Sequence, residues 1–207
     1  MTPARHLLAL DTATDIASIG IVDTARGEAL AELETSPATL LASIDRLLSA
    51  SKLEKGELQG VVVGVGPGRY TSLRIGLASA RAVARTLAIS IAGVSTLDAL
   101  AAGSPGAVPL IDARRSEVFT RAGELLCVGP EQVSVEGRLC VGDGAIAYRE
   151  ELEARGASIP GDADPRHRVR PACLVMLAES HADSLPIEPI YLRAPDAERT
   201  RKEFPRA

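Results

Sequence analysis

Residues 60–84, reading GVVVGVGPGRYTSLRIGLASARAVA, constrain the fold more than any other stretch. The continuous apolar run Val61, Val62, Val63, Val65 predicts a strand buried on both faces. It stops at Gly66-Pro67-Gly68 and restarts as an amphipathic helix over Thr71–Leu87. A strand, a tight turn and a helix in direct succession bring backbone N–H groups and a helix N-terminus towards one spot, as a phosphate site would. No GK[ST] follows the loop and no G-x-G-x-x-G spacing is present, so it is not a P-loop. A tight turn where any side chain would strike a neighbouring backbone accounts for the glycines equally well.

Around this unit the chain alternates strands and helices. Leu7–Leu10 predicts a strand ending at Asp11, and a polar turn leads into a second strand over Ile16–Val22 and a third near Glu28–Glu34. Ser36-Pro37 reads as an N-cap followed by proline at the first helical position. Leu40, Leu41, Ile44, Leu47 and Leu48 then make one apolar helix face within Ala38–Ala50. A short strand over Ile89–Val94 and a helix over Thr96–Ala102 complete a βββαβαβα order. The second half opens alike. Ala107–Ile111 ends at Asp112, 101 residues after Asp11, and a polar turn (Ala113, Arg114, Arg115, Ser116) returns as a strand near Glu117–Ala122. This weak internal repeat predicts two α/β lobes, 1–103 and 104–207, the second reduced to a strand at Leu139–Val141, a Gly142-Asp143-Gly144 turn, and helices over Ile146–Ala154 and Pro171–His181.

Composition excludes several functions. Of 207 residues only five are aromatic, none of them Trp, so the chain has few platforms for stacking bases, and its net charge of −4 supplies no general attraction for nucleic acid. The apolar stretch Leu7–Leu10 is too short for a signal peptide or membrane span, and Cys127, Cys140 and Cys173 form no C-x-x-C pair. A cytoplasmic protein with reduced thiols and no membrane association is expected. His6, His167 and His181 fall in no metal-binding spacing, and no Ser-His-Asp or Cys-His grouping supports a peptidase.

Five blocks carry a resemblance: LLALDTATDIASIGIVD (Leu7–Asp23), GPGRYTSLRIGLASARAVA (Gly66–Ala84), GVSTLDALA (Gly93–Ala101), DARRSEV (Asp112–Val118) and YLRAPDAE (Tyr191–Glu198). In this order they resemble the TsaB (YeaZ) family of bacterial tRNA threonylcarbamoyladenosine biosynthesis proteins. The resemblance implies a duplicated actin-like, ribonuclease-H-like fold with two lobes of the ASKHA type. It also implies a non-catalytic subunit that pairs with the related TsaD and works beside the ATPase TsaE, with tRNA engaged only through the complex. No cofactor of its own is implied; ATP and Mg serve the partner subunits. Two departures stand out. Arg69, Tyr70 and Ser72 replace Ser, Phe and Gly of the usual GPGSFTGLRIG, and Ser36-Pro37-Ala38 stands where a His commonly precedes the first helix.

The family pairs through the two helices around the central strand, which implies an interface of Leu41, Ile44, Leu48, Ser72, Arg74, Ile75, Gly76, Ala80 and Val83. Ser72, Gly76, Ala80 and Ala84 recur every four residues, a small-residue stripe that would admit a partner helix or pack on the lobe's own sheet. On the partner reading, Ala80→Glu leaves the chain folded but unable to pair. Asp11, Thr12, Thr14, Gly66, Gly68, Arg69 and Asp112 are candidates for a vestigial nucleotide or phosphate site. If Asp11 and Asp112 faced one another across a cleft, the chain would instead be a nucleotide-dependent transferase or kinase. Each Asp could equally cap its own turn. A homodimer, either of the isolated chain or as a scaffold without a tRNA role, is a further expectation. The Arg114, Arg115, Glu117 hairpin reads as a solvated turn or as a contact for a partner or for tRNA phosphate, and the basic tail (Arg193, Arg199, Arg201, Lys202, Arg206) as solvated or an electrostatic auxiliary.

Overall fold

The computed structural model describes residues 5–180 and 187–193. β1 (His6–Asp11), β2 (Ala17–Asp23) and β3 (Glu28–Thr35) form an antiparallel meander. β4 (Leu58–Gly64) adds parallel to β1, and β5 (Ser90–Val94) parallel to β4, giving the order β3-β2-β1-β4-β5. The second sheet repeats that order with β6 (Val108–Arg114), β7 (Glu117–Ala122), β8 (Glu124–Val128) and β9 (Cys140–Val141) as β8-β7-β6-β9. A counterpart of β5 survives as one parallel bridge between Leu139 and Ser158, where Cys140 N donates to Ser158 O at 2.9 Å.

Strand alternation divides the first lobe's core in two. Leu8, Leu10, Ile19, Ile21, Val61 and Val63 meet α1 (Leu40–Ser51) and α2 (Tyr70–Leu87) on one face. On the other, Leu7, Ala9, Val22 and Val62 join Leu97 and Leu100 of α3 (Thr96–Ala102) and Leu174 and Val175 of α6 (Pro171–Ser180). Ile111 and Phe119 of the second sheet reach the same cluster, so the lobes share a core. Behind the second sheet, Val108, Leu110 and Val118 pack with Ala145 of α4 (Asp143–Ala147) and Leu152 of α5 (Arg149–Ala154).

Several expectations need correction. Ser36 does accept from Ala38 N at 3.3 Å, but Pro37–Thr39 is a 3-10 turn and the α-helix begins only at Leu40. The strand expected to end at Ile111 runs on to Arg114, and β8 was not foreseen. Gly142 is the residue preceding α4 rather than part of a free turn, with φ 108, and the helix expected over 146–154 is two helices broken at Tyr148. The division at 103/104 does not hold for the C-terminal part. α6 lies across β1, β2, β4 and β5, where a Cβ at Gly20 would come within 2.8 Å of Pro171 Cβ. His181 and the tail residues Arg199, Arg201, Lys202 and Arg206 lie outside the described residues.

Candidate functional site

The Gly66–Gly68 turn spends its polar groups inside the protein. Gly66 N donates to Thr96 Oγ1 at 3.1 Å, and Arg69 N donates to Ala13 O at 2.8 Å. A Cβ on Gly68 would overlap the Ala13 carbonyl, so the glycine is there for close backbone approach. Asp11 is similarly sealed. Its Oδ1 accepts from Ala13 N at 2.9 Å and its Oδ2 from Thr96 Oγ1 at 2.6 Å, while Gly64 leaves just enough room for the carboxylate. Burial pushes the Asp11 pKa up, and these two hydrogen bonds only partly oppose it. Thr12 Oγ1 donates to Ser72 O and Thr14 Oγ1 to Ile16 O, each at 2.8 Å. The crevice beside Asp11, bounded also by Asp143 and His167, has about 10 Å³ of space, room for one water. The expected phosphate cradle of Asp11, Thr12, Thr14 and Gly66 is therefore corrected: these groups hold the turn together and leave no volume for a nucleotide.

Asp112 has the same local geometry in different surroundings. Its Oδ1 accepts from Arg114 N at 2.8 Å, the counterpart of the Asp11–Ala13 bond. Its other oxygen lies 3.2 Å from the Arg114 guanidinium, which also reaches Asp15 at 3.3 Å. Arg69 pairs with that same Asp15. Asp112 opens not onto Asp11 but onto a separate cleft of about 380 Å³ between the start of α2, the β6–β7 hairpin and residues 190–193. Gly68 and Arg69 line it too. The two aspartates thus do not face one another across one site.

Contacts remote in sequence build this cleft. The Tyr70 and Tyr191 rings stack 4.7 Å apart, Arg74 lies 4.0 Å over Tyr70, and Arg74 Nε donates to Tyr191 OH at 3.1 Å. Ile190 N donates to Val65 O at 2.8 Å, while Arg193 donates to Glu117 at 2.5 Å and to Ala113 O at 2.7 Å. Residues 190–193 thereby tie the first lobe to the second. Arg114, Arg115 and Ser116 turn the hairpin with φ of 63, 58 and 58, three left-handed residues without a glycine among them. Tyr191 and Arg193 open the YLRAPDAE block, but nothing in that block points to Tyr70 or Glu117 as their partners, which lie 121 and 76 residues away.

The helix pair presents a second site, and its geometry corrects the expected stripe. Gly76, Ala80 and Ala84 are buried against the lobe's own sheet, with Ala80 fully inaccessible. A Cβ on Gly76 would overlap the Thr12 hydroxyl, which is the packing reason for a glycine in mid-helix. The Gly76/Ala80 face is therefore not exposed in the free chain. Ser72 is half-buried, and Arg74 is engaged by Tyr191. Solvent instead meets Thr71, Ala78, Ala82 and Thr86, with Ile75 half-buried beside them. Of the expected interface residues, Leu41, Ile44, Leu48 and Val83 line one apolar groove of about 290 Å³ between α1 and α2. Leu58, Ala82 and Leu87 extend it, and a Lys55–Asp45 ion pair at 2.8 Å stands on its rim. Leu41 is 57% exposed, an unusual position for a leucine beside other apolar groups.

No group of three or more His, Cys, Asp or Glu residues suited to a metal occurs among the described residues. His167 is buried, its ring nitrogens 3.1 Å from the Gly142 backbone and 3.2 Å from Pro160 O. None of the three cysteines is in a disulfide, and burial pushes the pKa of Cys140 and Cys173 up.

Comparison with known proteins agrees with this architecture. Residues 35–138 match the family model described as TsaD, tRNA N6-adenosine threonylcarbamoyltransferase. The chain is 34% identical to an uncharacterized protein of Mycobacterium tuberculosis, over 92% of this chain and 93% of that one. It is 29% identical to the tRNA threonylcarbamoyladenosine biosynthesis protein TsaB of Bacillus subtilis, over 93% and 96% of the two chains. Among solved structures, YeaZ from Pseudomonas aeruginosa superposes with a TM-score of 0.73 at 25% identity, covering 91% of this chain and all of that one. The ethanolamine utilization protein EutJ from Carboxydothermus hydrogenoformans shares the fold alone, with a TM-score of 0.50 at 12% identity over 84% of this chain and 90% of that one. With its doubled sheet order and these relatives, the chain belongs to the TsaB (YeaZ) family and has its duplicated actin-like fold.

Proposed function

We propose that this chain serves tRNA threonylcarbamoyladenosine biosynthesis as a non-catalytic subunit that docks on a TsaD paralogue through the groove between α1 and α2. The exposed Leu41 beside Ile44, Leu48 and Val83 is the observation that carries the reading. Covering a leucine-sized side chain contributes roughly 1.5–3 kcal/mol, so a few such residues dominate an interface of ordinary size. The exposed small residues Ala78 and Ala82 let a partner helix lie close to α2 beside the groove. On this reading the chain brings no cofactor of its own. ATP and Mg are handled by the partners, TsaE joins the assembly, and tRNA is reached only through the complex. A cytoplasmic location goes with that role; among the described residues no helix is long and apolar enough to cross a membrane.

The test is co-elution with the TsaD paralogue on size exclusion, paired with threonylcarbamoylation by the reconstituted system. Wild type co-elutes and supports modification, and Leu41→Glu loses both while keeping its thermal midpoint. A Leu41→Glu protein that still co-elutes removes the groove from the interface. A wild-type chain that dimerises with itself and ignores TsaD replaces this reading with a homodimeric scaffold. Steady ATP turnover by the isolated chain, abolished by Asp11→Asn, would replace it with an enzyme.

A further inference from the structure

Helix α2 carries three arginines, Arg74, Arg81 and Arg85, and neither Asp nor Glu, in a chain whose net charge is −4. Spacings of seven and four residues stack the three side chains on one flank, over about 16 Å of helix. All three are exposed, and among the described residues none is in an ion pair. Two of them are nonetheless fixed in place. Arg74 is held by the Tyr70 ring and the Tyr191 hydroxyl, and Nη2 of Arg81 donates to Ile187 O. A ring, a phenol and a carbonyl orient a guanidinium without cancelling its charge, which lowers the ordering cost of a later ion pair. Arg85 lies in the last turn, where a cation is favourable beside the helix's carbonyl end. Arg74 and Arg81 are too far from that end for the same reason to apply.

The two flanks of α2 therefore differ in charge. On the α1 side the groove's rim bears the Lys55–Asp45 pair, which is balanced. On the other side the arginines stand uncompensated, and Glu188 in the neighbouring segment is exposed and pairs with none of them. Between the flanks runs the exposed strip of Thr71, Ala78, Ala82 and Thr86. We propose that the row Arg74–Arg81–Arg85 receives carboxylates from a helix of the docking partner. That helix lies over the strip, its apolar side in the groove and an acidic flank on the arginines. The proposal rests on the docking reading above and adds the charge of the partner's surface. Arg81 and Arg85 fall outside the interface that the family resemblance implies. Matched charges along one flank hold the partner in a single register and give an acidic surface a preferred face to approach. Nucleic acid is the weaker fit, because the row adjoins an apolar groove and three arginines are few for tracking a phosphate backbone.

Titration calorimetry of the full chain against the TsaD paralogue, at about 50 and about 300 mM salt, tests this. Wild-type affinity is expected to fall at least about fivefold between the two conditions. Arg81→Gln/Arg85→Gln, with its thermal midpoint unchanged, is expected to bind roughly fivefold to thirtyfold more weakly at low salt and to lose most of the salt dependence. Arg81→Glu/Arg85→Glu is expected to bind more weakly still, because it adds repulsion. Should the double change lower the midpoint, Arg85→Gln alone reads the same loss of salt dependence, at about half the effect. Wild-type affinity and salt dependence in the neutral variants overturn the inference and leave docking standing, as does wild-type binding indifferent to salt. Absence of wild-type binding at both salts overturns the docking reading and this inference with it. Unchanged TsaD affinity together with weakened tRNA retention by the assembled complex reassigns the row to nucleic acid, and overturns it too.

Discussion

Helix α2 carries small residues at four-residue spacing on two of its faces, and the faces have opposite fates. Gly76, Ala80 and Ala84 press into β1, β4 and Thr12, where even a methyl group at position 76 would collide. Ala78 and Ala82 meet solvent next to the apolar groove shared with α1. The difference teaches that small residues in a helix report close approach without saying to what. Here the inner row lets the helix sit down on its sheet, and the outer row keeps the rim of a groove low.

The contrast can be broken most forcefully at Ala80. Ala80→Glu places a carboxylate in a fully buried position with no partner, and a loss of about 3–5 kcal/mol, seen as a collapsed denaturant midpoint, is the expected outcome. A stable Ala80→Glu protein would mean that the inner row is not packed as described. Gly76→Ala should cost less, about 1–3 kcal/mol, because the clash with Thr12 outweighs the roughly 1 kcal/mol gained in helix propensity. Coupling sharpens this. The Thr12→Ala/Gly76→Ala double variant should be less destabilised than the two single changes added together, and strict additivity would show that the two sites do not touch. The smallest effect on stability belongs to Ala82→Glu, within about 0.5 kcal/mol of wild type by thermal melting. Its effect on TsaD co-elution should nevertheless be complete. Normal co-elution of Ala82→Glu would remove the outer row from the docking face.

The first lobe was legible because its signals are local. Val61–Val65 is apolar without interruption and is buried on both sides, and Ser36-Pro37 marks a helical start by chemistry confined to adjacent residues. The duplicated architecture followed from Asp11 and Asp112, each at or near the end of a strand and each accepting from the N–H two residues on, although β6 continues past Asp112 to Arg114. β8 escaped notice because Leu125, Leu126, Cys127 and Val128 are all half-buried and show no alternation. The break at Tyr148 has no glycine or proline to announce it. Which row of α2 faces inward depends on where the sheet lies, and spacing along the helix is the same for both rows. The cleft was least legible of all. Tyr191 meets Tyr70 and Arg193 meets Glu117 only after the chain has crossed both lobes.

The position of α6 sets a timetable. All five strands of the first sheet are present once residue 94 has been made, but the face bearing Leu7, Ala9, Val22 and Val62 is closed by Leu174 and Val175. At ribosomal speeds of about 5–20 residues per second, roughly 4–15 s separate the end of β5 from the arrival of α6. During that interval the nascent sheet carries an uncovered apolar surface, the kind of surface that chaperones bind and aggregates recruit. The last described helix therefore works as the closing step of the first lobe's synthesis, and a ribosome that stalls before residue 171 leaves a fragment with every strand of a sheet and only half of its shelter.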